Sequence, residues 1–76
     1  MEELVLAIAK ALVDMPDEVK VSTIEKDGET VVELKVAESD MGKVIGKQGR
    51  IAKAIRTVVK AAAAKENVYI GVEITQ

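Results

Sequence analysis

The sequence predicts an α+β fold in which three helices cover one face of a three-stranded sheet. Two observations support this class. Apolar residues recur with helical spacing near the N-terminus and again in the second half of the chain, and they alternate with polar residues in three shorter runs. The predicted order is helix, strand, strand, helix, helix, strand. A chain of 76 residues has room for one domain, which we expect to occupy residues 1–76.

The first helix is predicted over residues 2–13. Leu4, Ile8 and Leu12 repeat every four residues and form one apolar stripe. The acidic residues at its start favour the positive end of the helix dipole. Pro16 cannot continue a helix and restricts the residue before it, so the helix must end ahead of it.

Three segments have the alternating pattern of half-buried strands: residues 19–25, 30–36 and 68–76. The first two are separated by a short polar segment that contains Asp27-Gly28. This dipeptide is a strong signal for a two-residue hairpin turn. The sequence therefore predicts that the first two strands are antiparallel neighbours.

Two helices are predicted between the second and third strands. Ser39 or Asp40 is expected to cap the first, which is short and ends at Gly46. The second spans about residues 50–65, and Asn67 ends it. Helical spacing places its apolar residues on one face and its basic residues on the opposite face: Ile51, Ile55, Val58 and Ala62 against Arg50, Lys53, Arg56 and Lys60.

The composition excludes several classes of function. The chain has no cysteine and no histidine, so disulfides, thiolate chemistry and the commonest general base are absent. No carboxylate has a partner at catalytic spacing, and we expect no enzyme activity, no metal site and no cofactor. No apolar run is long enough to span a membrane, and the N-terminus does not resemble a signal peptide, so a cytoplasmic location is expected. Tyr69 is the only aromatic residue, which excludes folds that stack bases on several aromatic side chains.

Positive charge is concentrated in one part of an acidic chain. The net charge is −2, yet residues 41–65 contain seven basic residues and no acidic one. These residues are Lys43, Lys47, Arg50, Lys53, Arg56, Lys60 and Lys65. For Lys53, Arg56 and Lys60 alone, a solvated helix face is a sufficient explanation. Lys43, Lys47 and Arg50 differ because they flank two glycines.

Gly46 and Gly49 lie between the two predicted helices. One glycine at a helix end needs no function, but a second one three residues later allows a ligand to approach the backbone closely. Free amides at a helix N-terminus and adjacent lysines both favour a phosphate. The spacing matches neither a nucleotide P-loop nor the dinucleotide fingerprint. A polynucleotide backbone remains as the expected ligand.

The segment "VIGKQGRIAKAI" closely resembles the signature of the KH domain, in which a Gly-x-x-Gly loop clamps about four single-stranded nucleotides. The additional N-terminal helix and strand resemble the type II variant. The resemblance extends over essentially the whole chain and is strongest to the small bacterial KhpA family. It implies an RNA-binding protein that acts as an RNA chaperone or post-transcriptional regulator and is linked to cell-wall (peptidoglycan) synthesis, cell shape and cell length. It also implies a homodimer, or a heterodimer with a larger KH-domain partner of the KhpB/Jag type.

The resemblance also implies which residues contact RNA. These are Lys43, Val44, Ile45, Gly46, Lys47, Gln48, Gly49, Arg50 and Lys53. Within this set the two glycines and the residues between them form the clamp, and Val44 and Ile45 form an apolar floor before it. The chain departs from the usual motif at Ala52, where a bulky aliphatic residue is expected. This departure is expected to widen or reshape the groove for bases, so the base preferences of the family are not carried over to this chain.

A second function remains open on the sequence alone. The chain could be a protein-interaction module of KH fold that binds little RNA itself. Lys47 argues against this reading, because an acidic residue in the loop would repel phosphate and a lysine does not. The small residues Ala54, Thr57 and Ala61 are a candidate surface for association, although helix propensity explains alanines equally well.

Overall fold

The computed structural model describes residues 1–76. Its elements are the helix α1 (Glu2–Leu12), a single 3-10 turn (Pro16–Glu18), the strands β1 (Lys20–Lys26) and β2 (Glu29–Lys35), the helix α2 (Glu38–Lys65) and the strand β3 (Ile70–Thr75). The α+β class and the predicted element order are confirmed. The two helices predicted around the glycines are the two arms of α2, which we call the N-terminal arm (residues 38–45) and the C-terminal arm (residues 50–65).

The sheet is mixed, with strand order β1-β2-β3. β1 and β2 are antiparallel, whereas β2 and β3 are parallel, and α2 is the crossover connection that parallel strands require. The register places Val21, Leu34 and Ile74 side by side across the three strands. Asp27 and Gly28 form the predicted hairpin turn, and both have positive φ (53° and 80°), as a type I′ turn requires.

One face of the sheet carries the hydrophobic core, and both helices pack against it. Its ten fully packed residues are Val5, Ala9, Val19, Val32, Leu34, Val36, Val44, Ala52, Ile55 and Val59. No aromatic residue is among them, so the core consists of aliphatic side chains, most of them β-branched. On the outer face, Lys26 and Glu73 of the two edge strands form an ion pair, with Nζ 3.1 Å from Oε2. The helices therefore lie on one side only, as predicted.

The start of α2 corrects the predicted cap. Its N-cap is Ala37, with no side-chain hydrogen bond, so neither Ser39 nor Asp40 is the cap. Asp40 lies in the first turn and is buried (1% exposed). Its Oδ1 and Oδ2 accept hydrogen bonds from the backbone N–H groups of Asp14 (3.0 Å) and Met15 (2.9 Å). The carboxylate thus fixes the segment after α1 instead of capping its own helix.

The buried face of the C-terminal arm is rotated from the predicted one. Ile55 is buried as expected, but its buried companions are Ala52, Val59 and Ala63, each one position after a predicted residue. Ile51 and Val58 are half-buried at the margin. The buried face therefore includes small residues such as Ala52, which allows the helix to approach the sheet closely.

The end of α2 agrees with the predicted terminator. Asn67 has a left-handed conformation (φ 58°). The N–H of Val68 donates to the carbonyl of Ala63, and that of Asn67 donates to Ala64, both at 3.1 Å. This is the Schellman arrangement, and it leaves Val68 and Tyr69 ahead of β3, although the sequence predicts both of them within the strand. Neither helix combines the length and the apolar composition needed to cross a membrane.

Candidate nucleic-acid interface

The glycine loop interrupts α2 with an unusual backbone. Gly46 is extended (φ −70°, ψ 178°), and the next three residues are all left-handed. Lys47, Gln48 and Gly49 have φ of 52°, 64° and 67°. The left-handed region costs an L-residue about 1–2 kcal/mol, and side-chain-bearing residues rarely adopt it in succession. Backbone strain of this kind is concentrated at functional sites, where the surrounding fold maintains it.

The structural reason for a glycine differs between the two glycine positions of the loop. Gly49 needs its positive φ, which a residue with a side chain would adopt only with strain. Gly46 has an ordinary φ, and a Cβ added there would meet no atom within 4 Å. Neither backbone conformation nor packing requires a glycine at position 46. The missing side chain instead leaves the backbone accessible from outside.

The side chains around the loop separate into supporting and exposed ones. Val44 is fully buried and packs in the core, so it holds the N-terminal arm in place without reaching the surface. Ile45 is 51% exposed beside the loop. Lys47 and Gln48 are both exposed. Of the two residues expected to form the apolar floor, Ile45 alone is available to a ligand.

The cations near the loop differ in whether they already have an ion-pair partner. Lys43 Nζ lies 3.0 Å from Asp14 Oδ1, so its charge already has a partner. Lys47, Arg50 and Lys53 are exposed and have no carboxylate within ion-pair distance. Nothing in the sequence indicates the Asp14 contact, because Asp14 lies in the segment after α1 and Lys43 lies in α2, far apart in the chain. The available positive charge therefore starts at the loop and continues along the C-terminal arm.

Ala52, the departure from the usual motif, lies in the core and not at the surface. It is 2% exposed and belongs to the cluster that packs on the sheet. The neighbouring Ile51 is half-buried at the margin of the helix. The small side chain at position 52 allows the C-terminal arm to lie close to the strands. No group of three or more acidic side chains is placed to hold a metal ion.

Comparison with known proteins assigns this chain to a family. A sequence model described as "KhpA/KhpB, KH domain" matches residues 2–74. The chain is similar to a protein named "RNA-binding protein KhpA" from Clostridium acetobutylicum, with 65% identity over 74 residues, which is 97% of this chain and 99% of the relative. A relative of the same name from Listeria monocytogenes is 51% identical over 76 residues, covering both chains in full.

A solved structure shows the same fold. The crystal structure of an Aquifex aeolicus Era variant bound to GDP.AlF4− matches 97% of this chain with a TM-score of 0.66 and 20% identity. This chain spans 29% of the length of that chain, and the similarity concerns the fold alone. The expectation that the chain is not an enzyme agrees with the family model and with the names of its relatives. On the family model and these identities, the chain belongs to the KhpA/KhpB KH-domain family.

Proposed function

We propose that this protein binds single-stranded RNA and clamps its backbone at the Gly46–Gly49 loop. The names of the KhpA relatives support RNA as the ligand. The loop geometry supports the position, because it combines an accessible backbone with exposed cations. Residues 1–76 act as one KH domain in this proposal. We also infer that it works in the cytoplasm, where such RNA is found.

The proposal rests mainly on the position and the open surroundings of Gly46. Neither φ nor packing requires a glycine at position 46, and, unlike Gly42 inside the helical N-terminal arm, Gly46 lies at the break in α2, where a ligand can approach the backbone within side-chain distance. The amides that open the C-terminal arm favour an anion, and the exposed charge of Lys47 has the right sign for a phosphate. Contacts of this kind recognise the backbone, so binding should tolerate many base sequences.

The experiment compares Gly46→Ala with Gly42→Ala. Both glycines lack any neighbour within 4 Å of an added Cβ, and neither has a positive φ. Both variants should therefore fold, and their melting temperatures should equal or exceed that of the unmodified protein. Only Gly46→Ala should weaken RNA binding, by at least about tenfold, measured by fluorescence anisotropy with labelled RNA. Equal affinities for the two variants would remove the support for a clamp.

We further propose that useful affinity needs a second KH domain, either another copy of this chain or a larger partner of the KhpB/Jag type. One groove of about four nucleotides binds weakly, whereas two linked grooves can gain about 10²–10⁴ in avidity. Ala54, Thr57 and Ala61 are all exposed on the C-terminal arm and offer a surface that allows close approach. A monomer at all concentrations by light scattering, with tight RNA binding and no partner recovered in a pull-down, would contradict this.

The cellular role is proposed from the family resemblance. RNA binding would serve an RNA chaperone or post-transcriptional regulator that affects cell-wall synthesis and cell length. In a strain that lacks the gene, the unmodified protein should restore normal cell length, and the variant with Lys47→Asp and Gln48→Asp should not. Restoration by both would separate the cellular role from RNA binding. The alternative function, a protein-interaction module, predicts that result.

A further inference from the structure

A cleft of 580 Å³ lies between the C-terminal arm of α2 and the start of β3. It shares no residue with the glycine loop. Arg56 and Lys60 line one side of it, and Val68 and Tyr69 line another. Val68 is 50% exposed and Tyr69 is 73% exposed, which makes Tyr69 the most exposed large apolar residue of the chain. The cleft thus combines two cations with the only aromatic ring in the protein.

We propose that this cleft binds a nucleobase of the same RNA strand, stacked on the ring of Tyr69. The inference rests on the proposed function and extends the RNA footprint beyond the loop. Bases stack readily on exposed aromatic rings, and such stacking tolerates any base because each has a π-face. Tyr69 contributes little to the core, so folding does not account for its placement.

The position of the cations connects the cleft with the loop. At about 100° per residue, Lys53, Arg56 and Lys60 fall within about 60° of one another on the C-terminal arm. From Gly49 to Lys60 the helix rises about 16 Å. None of the three cations has a carboxylate within ion-pair distance. A strand clamped at the loop can therefore follow one positive stripe to the cleft.

The acidic residues of the cleft determine how the strand must lie in it. Glu29 and Glu73 also line the cleft. Glu73 is paired with Lys26 on the sheet, which reduces its effect on an incoming phosphate. Repulsion by the two carboxylates keeps phosphates on the α2 side, next to Arg56 and Lys60. The base then points towards Tyr69.

The test uses Tyr69 as its own reporter. Because the chain has no tryptophan and no other tyrosine, the intrinsic tyrosine emission of the protein comes from this position alone. A single-stranded RNA of twelve nucleotides should quench that emission, and a tetranucleotide that occupies the loop should not. Tyr69→Ala should weaken binding of the longer RNA by about 5- to 150-fold, the range found for stacked bases. The affinity of the Tyr69→Ala variant for the tetranucleotide should equal that of the unmodified protein.

Tyr69→Phe is the matched control, since it keeps the ring and removes only the hydroxyl. It should bind the longer RNA as the unmodified protein does, measured by anisotropy of a labelled strand. If Tyr69→Ala binds both RNAs normally while Lys47→Asp with Gln48→Asp abolishes binding, the cleft proposal is wrong and the clamp stands. If both variants bind normally, both proposals fail. If the tyrosine emission per molecule changes with protein concentration in the absence of RNA, the cleft is a contact between copies of the chain. The cleft proposal is then wrong.

Discussion

Replacing Asp40 by asparagine should destabilise the fold more than any other single charge removal near the loop. The carboxylate is buried, and each oxygen accepts one backbone N–H, from Asp14 and from Met15. An asparagine side chain retains one oxygen, so one of the two N–H groups would face an NH₂ group that cannot accept. The change keeps the side-chain volume and alters only charge and hydrogen bonding.

The magnitude follows from these two bonds. A hydrogen bond to a charged group contributes about 1.5–3 kcal/mol, and a buried donor left without a partner costs about 1–3 kcal/mol. The expected loss is therefore about 2–4 kcal/mol. A domain of this length has a total stability of about 4–11 kcal/mol, so the loss is a large part of it. The melting temperature should fall by about 10–30 °C.

Urea unfolding followed by circular dichroism measures the change directly, with Asp14→Asn as the matched control. Asp14 pairs with Lys43 on the surface, and its side chain is 76% exposed. Such a pair contributes about 0–1 kcal/mol. The backbone N–H of residue 14 still donates to Asp40 in this control. If the two variants lose equal stability, the buried carboxylate does not hold the segment after α1 as we argue.

Three further predictions concern the loop. Gly49→Ala should destabilise the protein by about 1 kcal/mol in urea, because φ is +67° at this position; a neutral result would contradict the strain. Lys47→Asp with Gln48→Asp should leave the circular dichroism spectrum unchanged, should not lower the melting temperature and should abolish RNA binding in anisotropy; unchanged affinity would mean that the clamp is assigned wrongly. Of the three cations that flank the glycines, Lys43 is held by Asp14, which leaves Lys47 and Arg50 for the phosphates of a tetranucleotide. In an NMR titration, the logarithm of the affinity for a tetranucleotide should therefore fall with a slope of about −1.4 against the logarithm of the salt concentration. Freeing Lys43 by Asp14→Asn should steepen this slope to about −2, and an identical slope would exclude Lys43 as a contact.

Much of the fold follows from local patterns. The alternating runs predict the strands to within one or two residues of their observed ends, and Asp27-Gly28 predicts the turn that joins β1 and β2. Asn67 is correctly placed as the terminator of α2. These features depend on neighbours in the sequence, which is why the sequence contains enough information to find them.

Features that depend on distant contacts are less predictable from the sequence. The buried face of the C-terminal arm depends on its contacts with the sheet, and an alanine-rich pattern carries little information about which face that is. Asp40 has the residue type of a cap but bonds to a segment that precedes it by about 25 residues. The position of the glycine loop was predictable, but its three successive left-handed residues were not. Lys47 and Gln48 have no intrinsic preference for that conformation.

The left-handed pair Lys47-Gln48 implies a compromise between stability and activity in this loop. Asparagine and glycine adopt positive φ at lower cost, so a chain optimised for stability alone would carry them at both positions. The loop carries a long cation and a long amide instead. Asparagine at position 47 should therefore make the protein harder to unfold and poorer at holding phosphate. At this loop, a substitution that raises stability therefore lowers the affinity for phosphate.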